Sequence, residues 1–409
     1  MPKAGVVIVG SGHAGGTAAA LLRQYGYAEP IVLIGEEPLA PYQRPPLSKA
    51  WLKGEADAET LMLKPESFYD ESGVGLHLST RAERIDRDAK AVVMAGGAVA
   101  PYETLILATG ARARRIPLPG LDLDCVLALR TAADADALKR ALGPGKRMVV
   151  IGGGYIGLEA AASARALGAE VVVIEREPRV LARVACETLS DFFQDYHRRH
   201  GVHFIFGAGV EAIVGGDGRA AAVKLAGDTL VEADVFLVGV GATPNQELAA
   251  DAGLHCNDGI VVDLDARTSD PAIFAIGDCT RRPMPIYGGR LHRLESVPNA
   301  LEQAKQAASA IAGRPAPAGE VPWFWSDQYD LKLQIASLPF DAVETIIRGD
   351  VASAKFAVFH LDAQNRVRAV EAINAPPEFM AGRLLIGQGK AVAPDRLRDM
   401  SISMKEVAA

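Results

Sequence analysis

The chain has 409 residues, of which 49% are hydrophobic and 23% charged, and its formal net charge is −7. This composition predicts a globular protein of two or three domains with a large apolar core. The acidic balance argues against a nucleic-acid-binding protein, and no apolar run reaches the roughly 18 residues that a membrane-spanning helix needs.

Seven apolar runs bounded by glycine or acidic residues predict buried parallel strands. The runs are VVIVG (6–10), IVLIG (31–35), LILATG (105–110), MVVIGG (148–153), VVVIE (171–175), VFLVGVG (235–241) and IFAIGD (273–278). Stretches of small residues between several of them, as at 14–24 and 156–168, predict helices. Strands that alternate with helices are typical of a doubly wound α/β fold.

The order of these elements repeats along the chain. Each copy has a glycine-rich loop, a strand that ends at an acidic residue, a stretch of short strands, and an apolar run ending in glycine. The loops are residues 10–15 (the first loop) and 152–157 (the second loop), and the short strands span about 76–104 and about 202–234. Two copies of one dinucleotide-binding plan explain this order. A βαβ duplication without two ligands is the alternative.

A helix at 298–313 and a linker rich in Pro, Ala and Gly (314–322) follow the second copy. The tail from Val321 reads as strands and turns, and we interpret it as a small separate α+β domain. The expected domains are therefore 1–110 with 243–318, then 111–242, and finally 319–409.

The glycines of each G-x-G-x-x-G loop have three functions. The first permits a tight turn, the second lets a pyrophosphate approach the backbone, and the third lets the helix pack closely on the strand. They are Gly10, Gly12 and Gly15 in the first loop and Gly152, Gly154 and Gly157 in the second. Each loop follows a predicted strand and precedes a predicted helix, whose N-terminus would bind the phosphates.

An acidic residue follows each loop at the end of the next strand. Glu36 comes 26 positions after Gly10, and Glu175 comes 23 positions after Gly152. A carboxylate at this place accepts hydrogen bonds from ribose hydroxyls and would repel a 2′-phosphate. The second loop should therefore prefer NADH to NADPH, although the adjacent Arg176 weakens this preference and Glu175 could also be a plain surface acid.

Six stretches together resemble the FAD-dependent NADH:ferredoxin reductases of bacterial oxygenase systems. They are PYQRPPLSK (41–49), LILATG (105–110), VIGGGYIGLE (150–159), AIGDC (275–279), ESVPNALEQA (295–304) and PWFWSDQY (322–329). The resemblance covers essentially the whole chain and is to putidaredoxin-reductase-like members of the glutathione-reductase-like flavoprotein class. It implies two Rossmann-like dinucleotide-binding domains plus a small C-terminal α+β domain.

The resemblance also implies that FAD binds at the first loop and NADH at the second. The FAD candidates are Gly10, Gly12, His13, Ala14, Gly15, Glu36, Lys49, Ala82, Arg130, Asp278, Val297 and Trp325. The NADH candidates are Gly152, Gly154, Tyr155, Ile156, Gly157, Glu159, Glu175, Arg183, Gly241 and Glu295. The residue type of His13 indicates nothing beyond packing or a local hydrogen bond.

Lys49 and Glu159 are the two catalytic candidates. In the family that the chain resembles, the lysine lies by the flavin ring, where its charge would stabilise the reduced flavin. The glutamate holds the nicotinamide carboxamide and pairs with the lysine before NADH arrives. The alternatives are a solvated loop lysine and an acid on a helix surface.

The cysteines decide where the electrons go next. Cys125, Cys186, Cys256 and Cys279 form neither a C-x-x-C motif nor a spacing typical of a metal site, so we expect no metal. Disulfide reductases of this fold pass electrons from flavin to cysteine, but the stretch 41–49 holds none. We therefore expect single-electron transfer to a small iron–sulfur ferredoxin that serves a cytochrome monooxygenase or an aromatic-ring dioxygenase.

Two other functions remain open on the same fold. One is a rubredoxin reductase, an NADH oxidase or another small-molecule reductase. The other is a non-enzymatic redox-sensing protein of the apoptosis-inducing-factor type. A strand that begins within the first ten residues leaves no room for a signal peptide, and we expect a reduced, cytoplasmic monomer without membrane contact.

An acidic ferredoxin needs a local basic patch, because the chain is itself net negative. The candidates are Arg281, Arg282, Arg290, Arg293 and Lys305, and Lys332 and Arg383 come next.

Overall fold

The computed structural model describes residues 4–408, which form two compact units. The first unit comprises 4–43, 58–112 and 243–324, and the second comprises 44–57, 113–242 and 325–408. Among the described residues, no helix combines the length and the apolarity needed to cross a membrane.

The first unit is built on a mixed sheet whose parallel part has five strands. In spatial order these are Val74–His77, Ile31–Ile34, Gly5–Val9, Val99–Leu107 and Ile273–Ala275. Two antiparallel strands, Ala91–Met94 and Ala82–Asp86, extend from the N-terminal half of Val99–Leu107. Only the first three residues of the expected run LILATG belong to a strand, the longer Val99–Leu107. The strand before Glu36 ends two residues earlier, at Ile34.

Two alanine-rich helices of the first unit, His13–Gln24 and Val297–Ile311, share one apolar core on this sheet. Their buried alanines, such as Ala18 and Ala304, have no exposed surface, which lets the two helix backbones approach each other closely. The unit's other helices are Ala58–Leu61, Glu66–Glu71 and Glu247–Asp251, with 3-10 turns at Gly277–Cys279 and Pro285–Tyr287. A small three-stranded sheet comprises Ile260–Val261, Thr280–Met284 and Arg290–His292.

The second unit repeats the parallel order of the first four of the first unit's strands, whereas its fifth strand, Val126–Leu127, precedes the other four in the sequence. Its strands are Val202–Phe206, Glu170–Glu175, Arg147–Ile151, Val235–Val238 and Val126–Leu127, with an antiparallel sheet of Val210–Gly216, Arg219–Leu225 and Leu230–Glu232 beside them. The helices are Pro45–Ser48 (3-10), Ala50–Lys53, Ala132–Ala141, Tyr155–Ala166, Glu187–Arg199 and Ala226–Asp228 (3-10). Short strands Ala111–Ala113 and Ala242–Pro244 lie where the chain passes from one unit to the other. The repeat inferred from the sequence is confirmed.

The tail forms a five-stranded sheet with helices, as expected. The strand order is Trp323–Gln328, Leu331–Ala336, Val367–Ile373, Lys355–Leu361 and Glu344–Asp350, and the helices are Pro376–Gln388, Pro394–Arg398 and Met404–Ala408. The α+β fold of the tail is therefore confirmed.

The tail is not, however, a compact unit of its own. The rings of Phe192 and Phe356 pack edge to face at 5.1 Å, and the side chains of His197 and Gln328 lie 2.7 Å apart. These contacts join the tail to the helix Glu187–Arg199, and both belong to the second unit. The proposed three-domain boundaries stay a prediction.

Candidate functional site

The first glycine of each loop makes a turn that only glycine tolerates. Gly10 has φ +115° and Gly152 has φ +109°. A Cβ atom at Gly10 would lie 2.1 Å from the carbonyl oxygen of Ala108, and one at Gly152 would lie 2.4 Å from that of Gly239. Both positions combine a left-handed backbone with direct contact to the neighbouring strand.

The third glycine of each loop lets the helix lie against the loop. A Cβ atom on Gly15 would lie 2.0 Å from the oxygen of Gly10, and one on Gly157 would lie 2.4 Å from that of Gly152. The two loops therefore share a closely packed strand–turn–helix geometry.

The middle glycines cap the two helices and leave space over the backbone. Gly12 and Gly154 are the N-caps of helices that begin at His13 and Tyr155, and both have extended backbones. A Cβ atom on Gly154 would meet no heavy atom of the described chain within 4 Å. Helix-start N–H groups without a capping side chain suit a pyrophosphate, so both loops fit a dinucleotide.

The turn that carries Asp278 packs against the helix that follows the first loop. Gly277 has φ +80°, and a Cβ atom there would lie 3.1 Å from the Cβ of Ala14. The N–H of Gly277 donates to Oε1 of Gln303 at 2.8 Å, whereas Nε2 of Gln303 is buried and makes no hydrogen bond with the described residues. The structure thus brings Asp278 beside the first loop.

Two further candidates lie together at the edge of the first loop's sheet. Glu36 is exposed, and one carboxylate oxygen lies 3.8 Å from Nη1 of Arg81, which directly precedes Ala82. The N–H of Thr80 donates to the oxygen of Gly35 at 2.8 Å and so holds the two segments side by side. Sequence reasoning missed Arg81, whose only signal was its place next to Ala82.

Glu175 is fixed to the second loop by two hydrogen bonds. Its carboxylate accepts from the N–H of Gly153 at 2.7 Å and from that of Glu177 at 2.9 Å. A carboxylate has about four lone-pair positions, so capacity remains for ribose hydroxyls. Arg176 is exposed and pairs with Glu177 at 3.0 Å. Glu175 is therefore a positioned group of the loop and not a free surface acid.

Lys49 and Glu159 form an ion pair with a distance of 2.7 Å between Nζ and Oε2. Glu159 is only 3% exposed, and two further donors satisfy its carboxylate. The hydroxyl of Ser48 donates to Oε2 at 2.5 Å, and that of Ser326 donates to Oε1 at 2.6 Å. The expected pairing is confirmed, and Glu159 is not a surface acid.

Local structure explains why these groups meet. The 3-10 turn Pro45–Ser48 brings the side chain of Lys49 back to the first residue of the turn. There Nζ of Lys49 also donates to the oxygen of Pro45 at 3.1 Å. Glu159 and Ser163 are four residues apart on one helix face, and the hydroxyl of Ser163 donates to the oxygen of Ser48 at 2.7 Å. Ser48 and Ser326 were missed because a single serine carries no distinguishing sequence pattern.

The other NADH candidates of the second unit have these surroundings. The Tyr155 hydroxyl donates to the oxygen of Val184 at 3.2 Å, and burial raises its pKa well above the usual value. Arg183 is exposed, and its Nη2 lies 4.0 Å from where a Cβ atom on Gly241 would be. Ile156 is an exposed apolar residue.

The remaining FAD candidates divide between the units. The backbone N–H of Arg130 donates to the Asp134 carboxylate at 3.0 Å, and its carbonyl accepts from Nη1 of Arg44 at 2.6 Å. Three FAD candidates belong to the second unit: Lys49, Arg130 and Trp325.

One NADH candidate, Glu295, belongs instead to the first unit and pairs with Arg293. His13 opens the first-loop helix, and Val297 opens the helix that Ser296 caps. Their roles stay predictions.

The prediction that Arg282 contacts ferredoxin is wrong. Arg282 is 4% exposed and pairs with the buried carboxylate of Glu302 at 3.0 Å, so it cannot meet a partner. It points inward because it shares one face of a short strand with the buried Thr280 and Met284, which lie two residues before and after it. Arg290 is exposed, and Lys305 is partly exposed and pairs with Glu320 at 3.2 Å.

All four cysteines are free thiols. Burial raises the pKa of Cys186, Cys256 and Cys279, so these thiols stay protonated at neutral pH.

Residues 4–304 match the family model for pyridine nucleotide-disulphide oxidoreductases, and residues 323–408 match the model for a reductase C-terminal domain. Over 403 residues, and 98% of each chain, the sequence is 51% identical to a protein of Castellaniella defragrans described as the probable ferredoxin reductase CtmF. It is 43% identical to rhodocoxin reductase of Rhodococcus erythropolis, covering 98% of this chain and 93% of that one.

Among solved structures, the fold is similar to the reductase of a covalent putidaredoxin reductase–putidaredoxin complex. The TM-score is 0.96 at 39% identity, with 100% of this chain and 98% of that chain covered.

Proposed function

This chain belongs to the pyridine nucleotide-disulphide oxidoreductase family and ends in a reductase C-terminal domain, and on that premise we propose that it is an FAD-dependent NADH:ferredoxin reductase of an oxygenase system. One observation carries the proposal beyond the family name. The stretch 41–49, where disulphide reductases place cysteine, holds instead Ser48 and Lys49, and both of these side chains bind the carboxylate of Glu159. No thiol is there to take electrons, so the acceptor is a separate protein.

The chain's own residues hold the two dinucleotides. The first loop, with its helix start at Gly12, would bind the FAD pyrophosphate; Glu36 would bind the ribose and Asp278 the ribityl or phosphate end. The second loop and Glu175 would bind NADH in the same way. When bound, FAD accepts a hydride from NADH and releases the electrons one at a time.

Glu159 and Lys49 would act on the reacting groups. The Glu159 carboxylate is an acceptor held in place by Ser48 and Ser326, and it would receive the N–H of the nicotinamide carboxamide. That contact competes with Lys49 for the same oxygen. The ammonium would then be available to stabilise the negative charge that hydride transfer delivers.

Glu175 supports NADH as the coenzyme. Both of its oxygens already accept backbone hydrogen bonds, which keep the carboxylate directed toward the loop. The 2′-phosphate of NADPH would lie beside the Glu175 carboxylate, and the two negative groups would repel each other. We also propose a cytoplasmic location, since all four cysteines are free thiols.

The test is steady-state reduction of a reporter cytochrome by NADH, with and without a [2Fe–2S] ferredoxin. The proposal expects slow reduction without ferredoxin and fast, saturable reduction with it. Oxygen consumption that is equal with and without ferredoxin would favour an NADH oxidase. Acceleration by rubredoxin but not by [2Fe–2S] ferredoxins would make it a rubredoxin reductase.

A further inference from the structure

Three groups that bind transition metals lie together in the second unit, outside the residues assigned to FAD and NADH. They are the thiol of Cys186, the imidazole of His360 and the carboxylate of Glu371, whose ligand atoms all lie within 4.8 Å of one another. His360 is 5% exposed and Glu371 is 3% exposed, while Cys186 is partly buried.

One nitrogen of the His360 imidazole lacks a hydrogen-bond partner. Its Nε2 atom is buried and makes no hydrogen bond with any described residue. The nearest carboxylate oxygen, Oε1 of Glu371, lies 3.7 Å away, beyond hydrogen-bond distance. Burying a polar atom without a hydrogen-bond partner is unfavourable, so a ligand that binds this nitrogen would stabilise the arrangement.

The fold places the three side chains at one point. His360 and Glu371 lie on adjacent antiparallel strands, where Val358 pairs with Glu371 and His360 pairs with Ala369. They are therefore diagonal neighbours on the same sheet face. Cys186 precedes the helix Glu187–Arg199, and its backbone N–H donates to both oxygens of Glu371 at 3.2 Å.

We propose that Cys186, His360 and Glu371 form a binding site for Zn²⁺ or a chemically similar divalent transition metal. Thiolate, imidazole and carboxylate are all zinc ligands, with bonds of about 2.0–2.3 Å. Metal binding would displace the proton of the Cys186 thiol, and the resulting thiolate and the Glu371 carboxylate would together neutralise a divalent ion. Three protein ligands leave a fourth position of the tetrahedron for water.

The geometry requires only small side-chain movements. Tetrahedral ligands with these bond lengths are about 3.3–3.8 Å apart, so the groups must approach by roughly 1 Å. The metal would give Nε2 of His360 the partner that it lacks. Oxygens of Glu371 that accept from Cys186 keep lone pairs for a metal.

The position of the site indicates a structural role. The metal would connect the segment that begins helix Glu187–Arg199 to two strands of the C-terminal sheet, all within the second unit. Binding to the folded chain alone stabilises it by mass action, so the midpoint of thermal unfolding should rise with metal concentration.

The experiment starts from FAD-loaded protein treated with a chelator and then dialysed against Zn²⁺ or Co²⁺. Metal analysis should find one Zn²⁺ per chain, and Co²⁺ should give tetrahedral d–d bands on the red side of the flavin absorption. Cys186→Ala and His360→Gln should lose the metal, the bands and the thermal shift. Matched controls at residues outside the cluster, Cys256→Ala and His255→Gln, should keep all three.

NADH-to-ferricyanide activity of metal-free protein should be unchanged in Cys186→Ala, which shows that the variant is folded. Absence of stoichiometric metal in the parent would overturn the proposal, and so would metal that Cys186→Ala and His360→Gln retain. If Cys186→Ala fails to fold, the parent's Co²⁺ spectrum decides. Tetrahedral bands with a sulfur charge-transfer band support the site, and an octahedral spectrum overturns it.

Discussion

The Nζ atom of Lys49 lies 2.7 Å from Oε2 of Glu159, although the two residues are 110 positions apart in the sequence. The carboxylate is almost completely buried and would be strongly destabilised without a cation or donors. Ser48 and Ser326 supply two donors, so the carboxylate would keep two hydrogen bonds when Lys49 moves away. An ion pair that can open in this way suits a site where a bound ligand replaces Lys49 as a partner of the Glu159 carboxylate.

Lys49→Ala should slow the reduction of the flavin by NADH by about tenfold or more, with a smaller change in NADH binding. The ammonium is needed when negative charge develops and not before. Stopped-flow bleaching of the flavin at several NADH concentrations separates the rate from the affinity. Lys53→Ala is the matched control, since Lys53 pairs with the exposed Glu55 and not with Glu159. An unchanged limiting rate in Lys49→Ala would remove Lys49 from the site.

Glu175→Ala should raise the KM for NADH by about tenfold with little change in kcat, since a charge-assisted hydrogen bond is worth about 1.5–3 kcal/mol. It should also narrow the preference for NADH over NADPH, because the carboxylate no longer repels a 2′-phosphate.

Glu170→Ala is the matched control for this change. Glu170 begins the strand that Glu175 ends and pairs with Arg147 at 3.1 Å. If the parent already uses NADPH as well as NADH, the assignment of Glu175 fails, whatever the variant does.

The two loops were predictable because their constraint is local. A backbone φ above +100° at Gly10 and Gly152, and direct contact at Gly15 and Gly157, require glycine at fixed spacing in any such turn. That spacing can be read without knowing what packs nearby. The same holds for the apolar strands, whose burial on both faces gives continuous runs.

The buried contacts were harder to predict, because they join distant segments. The Lys49–Glu159 pair came from resemblance alone, and Ser326 lies 167 positions from the carboxylate that it supports. The prediction for Arg282 was wrong because its position after the AIGDC motif gives no information about burial. Arg282 shares the buried face of a short strand with Thr280 and Met284, and this face is defined by tertiary packing and not by an apolar pattern in the sequence.

Replacing all four cysteines with alanine should leave NADH-to-ferricyanide turnover within about twofold of the parent. Burial raises the pKa of three of the thiols, and none of the four lies in the stretch 41–49. Flavin content and turnover are measured on the same sample. Loss of turnover in folded, FAD-loaded protein would contradict this prediction and support electron transfer from the flavin through a cysteine thiol.

His197 should make the second unit less stable as the pH falls. Burial lowers its pKa from 6.5 to about 4, while Nε2 faces Gln328 and Nδ1 accepts from Tyr329. The folded state thus binds fewer protons than the unfolded state between these values. The contribution of His197 is complete above pH 6.5, declines as pH falls, and is lost by about pH 4.

This loss amounts to about 3 kcal/mol, at 1.36 kcal/mol per pKa unit. Denaturant unfolding across that pH range should therefore give a flatter dependence in His197→Gln than in the parent. The exposed His203→Gln should retain the slope of the parent. Equal slopes in the parent and His197→Gln would contradict the assignment.

Ferredoxin turnover should depend on the basic residues that stay accessible near the C-terminal part of the first unit. Arg290 is exposed on a short strand, and Lys305 is partly exposed on the helix Val297–Ile311. Since the chain carries a net charge of −7, only a local positive potential can attract an acidic partner, and salt weakens such attraction. Arg290→Glu and Lys305→Glu should lower ferredoxin-dependent cytochrome reduction several-fold at low ionic strength and flatten its salt dependence.

Turnover with ferricyanide should not change in these two variants, because it needs no docking surface. Arg219→Glu, an exposed arginine in the antiparallel sheet of the second unit, is the matched control for a charge reversal elsewhere. The measurement is an ionic-strength series with both acceptors for all three variants. If the two acceptors lose rate in parallel, the charges support the fold and not the docking. If neither acceptor loses rate, ferredoxin docks elsewhere, and Lys332 and Arg383 in the C-terminal domain become the next residues to reverse.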